Sequence, residues 1–199
     1  MSDFQRPVLG FTAWSGTGKT TLLKKLLPIL KERGIRLAVV KHAHHNFETD
    51  IPGKDSYELR KAGAAPILIS SSRRMAMMLD YDQEAEPVLA DMIDYLPLHK
   101  IDAVLVEGFK QESFPKIELH RPAVAKPLIC PHDPDIIALA TEGCLVPEDV
   151  SLSDKHLDRI VLCNPGKERI LPLLDLNNTD QLADFVVEQI TRQKRAFYI

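Results

Sequence analysis

The sequence contains few cysteines, and none of them has the paired spacing that binds zinc. The three cysteines, Cys130, Cys144 and Cys163, are far apart, and no Cys-x-x-Cys motif is present. This spacing argues against a zinc knuckle or a thioredoxin-type redox motif. An odd and sparse cysteine count is typical of a reducing compartment, so we expect a cytoplasmic protein.

Long apolar runs and an excess of positive charge are also missing. No segment approaches the ~18 consecutive apolar residues that a membrane span requires, and the first residues lack the pattern of a signal peptide. With 28 acidic and 25 basic residues, the formal net charge is −3. General binders of nucleic acid or membrane surfaces carry a basic excess. We therefore predict no nucleic-acid partner and no membrane partner, while a local basic site stays compatible with this balance.

The remaining composition is that of a globular protein. The 199 residues are 45% hydrophobic and 27% charged, which predicts one domain over residues 1–199. Apolar runs alternate with helical patterns through the first half, which is typical of an α/β fold with a mostly parallel sheet and helices on both faces. Strands are predicted at 8–13, 37–41, 67–70, 75–79, 103–106, 116–120, 136–140 and 173–176, and helices at 20–33, 55–62, 84–96 and 178–193.

The strongest motif follows the first predicted strand. Residues 13–20 read Ala-Trp-Ser-Gly-Thr-Gly-Lys-Thr, which matches the phosphate-binding P-loop G-x-x-x-x-G-K-[ST] with Ala in the first glycine position. Glycines let several backbone N–H groups point at one phosphate, and the next helix adds its positive N-terminal end. Lys19 is assigned to the β- and γ-phosphates and Thr20 to Mg²⁺, in a P-loop NTPase-like fold. The predicted nucleotide-binding residues are Trp14, Ser15, Gly16, Thr17, Gly18, Lys19, Thr20 and Thr21.

Two acids compete for a role at the predicted metal. Asp102 begins the apolar strand at 103–106 and Glu107 ends it, so strand rise separates them by ~17 Å. Ligands of open parallel sheets bind beyond the carboxyl ends of the strands. This rule selects Glu107, together with Thr20, as the predicted Mg²⁺ residues.

A polar loop with several histidines follows the second predicted strand. Its histidines have the spacing of metal ligands, although contacts to a phosphate or substrate, or simple solvation, would also explain them. The same loop is typical of a nucleotide-sensing switch, with turn and capping chemistry as the alternative. The candidate residues of this switch or substrate loop are His42, His44, His45, Asp50, Lys54, Asp55 and Arg60.

Three blocks of sequence together resemble the MobB family of molybdopterin-guanine dinucleotide biosynthesis adaptor proteins. They are residues 13–23, then Lys41-His42-x-His44-His45 leading through Asp50 to residues 52–56 and 60–64, and finally residues 106–110, Val-Glu-Gly-Phe-Lys. The resemblance covers most of residues 7–110 and 173–190. Residues 142–172 match no motif of the family and are interpreted as an insertion.

The resemblance implies a homodimer that binds GTP and Mg²⁺ and hydrolyses GTP slowly at most. It also implies a role in molybdenum cofactor maturation, in which the protein assists a MobA-type guanylyltransferase that joins GMP to the molybdopterin cofactor. On this view residues 15–21 hold the phosphates, Glu107 serves Mg²⁺, and the loop at 42–55 senses nucleotide or contacts cofactor or partner.

Other functions stay open on the residues alone. A P-loop small-molecule kinase acting on a cofactor precursor would use the same loop, and a metallochaperone would use the histidines. The segment Asn177-Asn178-Thr179-Asp180 has only a faint likeness to a guanine-reading N-K-x-D motif, and Asn178 with Gln181 is typical of a helix start. The preference for guanine over adenine, and any enzymatic activity, therefore depend on the resemblance.

Overall fold

The computed structural model describes residues 4–43, 47–142, 159–164 and 167–197. The chain forms two compact units, one of Met1–His42 with Val88–Ile199 and the other of Ala43–Pro87. The described elements are, in chain order, β1 (Val8–Thr12), α1 (Lys19–Glu32), β2 (Leu37–Lys41), α2 (Asp55–Lys61), β3 (Ile67–Ser70), β4 (Met75–Met78), α3 (Leu89–Asp94), β5 (Ala103–Glu107), β6 (Lys116–His120), β7 (Ile136–Thr141), β8 (Arg159–Asn164), β9 (Lys167–Asp175) and α4 (Thr179–Ala196).

The first unit is built on one seven-stranded sheet with the order β2-β5-β1-β6-β7-β9-β8. All neighbouring strands in it are parallel except β8 and β9, which run antiparallel. The strands β1, β2, β5, β6 and β7 therefore end together at one side of the sheet, here called the carboxyl edge. The prediction of a mostly parallel α/β sheet is confirmed.

Helices cover both faces of this sheet, as the sequence predicted. On one face, Leu26 and Leu30 of α1 and Val186 of α4 pack against Leu9 and Phe11 of β1. On the other face, the side chains of α3 pack against the alternate residues of β1 and β5. This alternation follows from the two-residue period of a strand, which sends successive side chains to opposite faces. The start of α4 is also as predicted, since the Asn178 Oδ1 accepts a hydrogen bond of 3.0 Å from the Gln181 backbone N–H.

The second unit corrects the predicted place of the third strand. The alternation of elements had suggested that residues 67–70 add to the parallel sheet. Instead β3 pairs antiparallel with β4 in a separate two-stranded sheet. The connection from Ser70 to Met75 is too short for the crossover that a parallel pair needs, so a hairpin forms.

Two further elements differ in length from the prediction. The helix expected over 84–96 is shorter, because α3 begins only at Leu89, after Pro87, and ends at Asp94. The strand expected at 173–176 is the end of the longer strand β9, which pairs with β8 over residues that sequence patterning did not assign. In the described parts of the chain, no helix combines the length and apolar character needed to cross a membrane.

Asp102 lies at the start of β5, far from the carboxyl edge, and is held by two basic side chains. Its carboxylate accepts hydrogen bonds from the Arg36 Nε at 2.9 Å and Nη2 at 3.2 Å, and from the Lys194 Nζ at 3.3 Å. The pKa of Asp102 is lowered, first by the Arg36 side-chain hydrogen bonds and further by Lys194, against the opposing effect of desolvation. Asp102 therefore joins β5 to α4 and to the segment before β2.

We predict that Asp102→Asn lowers the melting temperature at neutral pH and loses this effect in acid. Solvent screens the largely exposed Arg36, so the expected loss is about 1 kcal/mol, the upper end for exposed ion pairs, or roughly 2–4 °C. Because the folded-state pKa is depressed, the stabilisation is complete above the ordinary carboxyl pKa of about 3.9. It disappears as the pH falls through the lowered folded-state value. Thermal unfolding of both proteins between pH 7 and pH 2 measures the difference, and a gap that widens towards acid would contradict the assignment.

Candidate functional site

The phosphate loop, residues 13–20, connects β1 to α1 at the carboxyl edge. Gly16 and Gly18 have positive φ angles of 84° and 93°, which L side chains rarely adopt, and Gly18 is the N-cap of α1. The loop is closed internally, because the buried Thr17 donates its hydroxyl to the Trp14 carbonyl at 2.8 Å. The chain thus turns sharply around backbone N–H groups at the N-terminus of a 14-residue helix, which is an arrangement that binds anions.

The residues of the loop differ in exposure. Trp14, Ser15, Gly16, Thr20 and Thr21 are exposed, whereas Gly18 and Lys19 are partly buried and Thr17 is buried. Burial is the main cause that lowers the pKa of Lys19, and the Glu107 carboxylate opposes this effect. The lysine is therefore held in a partly desolvated position beside one counter-charge.

Glu107 lies where strand direction placed it, at the end of β5 and opposite Phe11 of β1. Its Oε1 is 3.7 Å from the Lys19 Nζ, and its Oε2 is 3.2 Å from the Lys41 Nζ. One carboxylate thus faces two ammonium groups, one from the start of α1 and one from the end of β2. Sequence analysis did not assign Lys41 to the site, although it follows the same pattern of a charged residue at the end of a strand.

The predicted metal residues offer hard oxygen donors at the carboxyl edge. Glu107 supplies a carboxylate and Thr20 a hydroxyl at the start of α1, and Mg²⁺ prefers a few oxygen ligands together with phosphates and water. Over the described residues there is no group of three or more His, Cys, Asp or Glu side chains that would hold a metal ion. Thr20 and Glu107 thus offer two oxygen donors, which fits a Mg²⁺ that takes its other ligands from phosphates and water.

The residues after β5 make a close contact with the end of β2. Gly108 has a φ of 94°, and a Cβ there would lie only 2.7 Å from the Cβ of His42. Phe109, also with a positive φ of 51°, places its ring 5.0 Å from the His42 ring, centroid to centroid. The His42 N–H continues the ladder with a 2.8 Å hydrogen bond to the Glu107 carbonyl. The Glu107-Gly108-Phe109 block thereby fixes His42 beside the carboxyl edge.

The other residues of the predicted switch or substrate loop belong to the second unit or lie outside the described residues, as His44 and His45 do. Asp50 accepts a hydrogen bond from the Ser56 hydroxyl at 2.9 Å, and Lys54 and Asp55 are exposed at the start of α2.

Arg60 forms two ion pairs within the second unit. Its side chain is buried, with one Nη on the Asp80 carboxylate and the other on the Glu48 carboxylate at 2.7 Å. Both partners come from this unit, so within it Arg60 ties α2 to the segments before and after it.

Arg121 is a residue of the site that sequence analysis missed. It directly follows β6, and its Nε donates a 2.8 Å hydrogen bond to the Thr17 carbonyl in the phosphate loop. Its guanidinium also forms an ion pair with Glu142, the first residue after β7. The only signal in the sequence is a basic residue after a predicted strand, and its neighbour in the sheet could not be known before the strand order.

The side chain of Trp14 lies in a basic surrounding. Its indole N–H donates a 2.7 Å hydrogen bond to the Pro127 carbonyl. The Lys110 Nζ lies 5.7 Å and the Lys126 Nζ 5.9 Å from the centre of its ring. With Lys19, Lys41 and Arg121, these residues make the carboxyl edge a local basic region in a chain of net charge −3.

Buried polar side chains of β6 fix the segment that holds Trp14. The Glu118 carboxylate, which is fully buried, accepts hydrogen bonds of 2.7 Å from the backbone N–H groups of Ile129 and Cys130. Burial raises the pKa of Glu118, and these two hydrogen bonds oppose the shift. Lys116 on the same strand pairs with Asp133 at 3.2 Å. These buried contacts therefore hold the loop between β6 and β7 in place, and with it the Pro127 carbonyl.

Comparison with known proteins places the chain in one family. The family model described as "Molybdopterin guanine dinucleotide synthesis protein B" matches residues 8–142. The molybdopterin-guanine dinucleotide biosynthesis adapter protein of Escherichia coli is 44% identical over 94% of this chain and 95% of that protein. The adapter protein of Haemophilus influenzae is 41% identical over 92% of this chain and 88% of its own.

A crystal structure of molybdopterin-guanine biosynthesis protein B has the same fold, with a TM-score of 0.63 and 24% identity over 92% of this chain and 99% of that one. The matched region of the family model contains the phosphate loop, Glu107, His42 and Arg121. On the family match and the identity of these relatives, the chain belongs to the MobB family of molybdopterin guanine dinucleotide synthesis proteins.

Proposed function

We propose that this protein is a GTP-binding adapter in molybdenum cofactor maturation that assists formation of the molybdopterin guanine dinucleotide. The observation that carries the proposal is the phosphate loop, with Lys19 and Glu107 in contact beside it, in a chain whose relatives are named as biosynthesis adapters. Its partner would be the guanylyltransferase that joins GMP to molybdopterin. A kinase would share the loop, but no contact in the described residues favours one.

The loop residues would act on the nucleotide by charge and position. The backbone N–H groups of residues 15–20 would surround the phosphates, and the Lys19 ammonium would turn from Glu107 towards them. Arg121 would keep the loop in this shape, because it holds the Thr17 carbonyl. Bound Mg²⁺ would neutralise phosphate charge, with Thr20 and Glu107 as its protein neighbours, directly or through water.

Substitution of Lys19 tests the nucleotide site. We expect Lys19→Ala to weaken GTP binding by roughly 10- to 150-fold, because a charge-assisted phosphate contact of ~1.5–3 kcal/mol is lost. The fold should remain intact. Titration calorimetry with GTP, ATP and GMP measures the affinity, with Lys24→Ala on the exposed side of α1 as the matched control. A folded Lys19→Ala protein that binds GTP as tightly as the parent would contradict the assignment of the loop.

The adapter role needs an assay of its own. A reaction containing guanylyltransferase, molybdopterin, GTP and Mg²⁺ should form more of the guanine dinucleotide when this protein is added, and Lys19→Ala should remove that increase. The same mixture with γ-labelled GTP separates an adapter from a kinase, because transfer of the label to molybdopterin would support the kinase instead.

A further prediction concerns Mg²⁺ and the acids at the two ends of β5, Asp102 and Glu107. Glu107→Gln should reduce the gain in GTP affinity that Mg²⁺ provides, because the predicted carboxylate neighbour of the ion is lost. Asp102→Asn, at the far end of the same strand, should leave GTP affinity within about twofold, since its contacts are to Arg36 and Lys194. GTP affinity across a Mg²⁺ titration compares them. Loss of the Mg²⁺ dependence in Asp102→Asn alone would reverse the assignment.

We also propose that the protein is a homodimer, as expected from its family. Sedimentation equilibrium at tens of micromolar should give twice the monomer mass of 22.4 kDa. A monomer at that concentration, with and without GTP and Mg²⁺, would contradict this prediction.

A further inference from the structure

We propose that Trp14, Lys110 and Lys126 form a binding site for a planar heteroaromatic ring that carries a phosphate, next to the nucleotide site but separate from it. This inference rests on the proposed function, in which a second ligand, a phosphorylated pterin, must meet the nucleotide. It reassigns Trp14, which the sequence analysis placed among the residues that bind the nucleotide itself.

The ring of Trp14 is prepared for stacking. The residue is 38% exposed, so part of its surface is open to a ligand. Its orientation is fixed by the 2.7 Å hydrogen bond from the indole N–H to the Pro127 carbonyl. That carbonyl lies in a loop anchored by the buried Glu118. A ligand would therefore meet a ring that is already ordered, which lowers the entropic cost of binding.

The ammonium groups of the two lysines beside the ring are available to bind an anion. Lys110 and Lys126 are exposed, and neither forms an ion pair with any residue in the described part of the chain. In this they differ from Lys19 and Lys41, which share the Glu107 carboxylate. Both ammonium groups lie over the Trp14 ring, and a lysine has a flexible stem that lets it move from the face of an aromatic ring to an anion. Two ammonium groups next to the Trp14 ring favour a ligand whose ring carries a phosphate over a ligand with a neutral ring.

The site lies close to the nucleotide site and does not use the side chains of Lys19 and Glu107. Lys110 is near enough to Lys19 for its charge to contribute to the lowered pKa of Lys19, after the larger effect of burial. The indole ring, however, is hydrogen-bonded to the loop after β6 and does not contact the Glu107 carboxylate that Lys19 and Lys41 share. A phosphate held by Lys110 would consequently lie near Lys19 and the phosphate loop. A single aromatic ring also fits one small ligand, since single-stranded nucleic acid needs several stacking side chains along a groove.

The test uses 6-hydroxymethylpterin phosphate as the probe, with 6-hydroxymethylpterin and inorganic phosphate as matched ligands. Calorimetric titration into the full-length protein with saturating GTP and Mg²⁺ should show binding of the phosphorylated probe. The double variant Lys110→Gln/Lys126→Gln should weaken this binding by about tenfold or more, with little effect on the unphosphorylated pterin. Trp14→Ala should weaken both pterins by about 3- to 10-fold. Lys24→Gln/Lys25→Gln on α1 is the control for loss of two exposed lysines.

Trp14 is the one tryptophan of the sequence, so its fluorescence reports binding at this site. The probe should quench tryptophan fluorescence at saturating GTP. Competition between GTP and the probe, or unchanged probe affinity in both the lysine and the Trp14 variants, would overturn this site and leave the GTP proposal standing. Failure of GTP to bind, with probe binding that still depends on Trp14 and the lysines, would overturn the proposed function alone. Thermal unfolding of each variant checks that it is folded.

Discussion

The position of β1 between two parallel neighbours is the constraint on which the site depends. Because β5 and β6 both run parallel to β1, the phosphate loop, Glu107 and Arg121 emerge at the same edge although they are far apart in sequence. Gly10 permits part of this arrangement, since a Cβ there would lie 2.4 Å from the Phe114 ring that precedes β6. The backbone N–H of Gly10 also donates to the Pro115 carbonyl at 2.8 Å. A local absence of side chain thus lets the segment before β6 approach β1.

Strand β6 of the same sheet has several buried polar side chains. Lys116 and Glu118 face away from the α1–α4 layer, and each finds its partners in the loop between β6 and β7. Buried charges are costly unless they are paired or hydrogen-bonded. Here the partners are backbone N–H groups and Asp133, so the cost is offset and the loop gains a defined position. The Trp14 ring then takes its orientation from that loop, which links a buried network to an exposed surface.

Sequence patterns were sufficient for whatever is set locally or by strand direction. The glycines of the phosphate loop, the capping of α4 by Asn178 and the choice of Glu107 over Asp102 for the carboxyl edge all follow from a few neighbouring residues. The contacts of Lys41, Arg121 and Trp14 do not, because their partners lie on other elements whose neighbours are set only by the strand order. The β3–β4 hairpin was misplaced for a related reason, since an apolar run does not specify which sheet it joins. Whether the predicted residues bind nucleotide and Mg²⁺ stays a prediction.

The contacts of Glu107 have a consequence for how nucleotide and Mg²⁺ would bind. The carboxylate faces two ammonium groups, so this part of the site keeps a net positive charge, which would attract phosphates. When phosphates draw Lys19 away, Glu107 retains only the more exposed Lys41 as a counter-charge, and its oxygen atoms become available to another cation. Mg²⁺ would supply that charge while also neutralising the phosphates. Each ligand would thus favour the other, because the free energy that couples them is reciprocal. The coupling would arise because the Glu107 carboxylate exchanges Lys19 for Mg²⁺ as its partner.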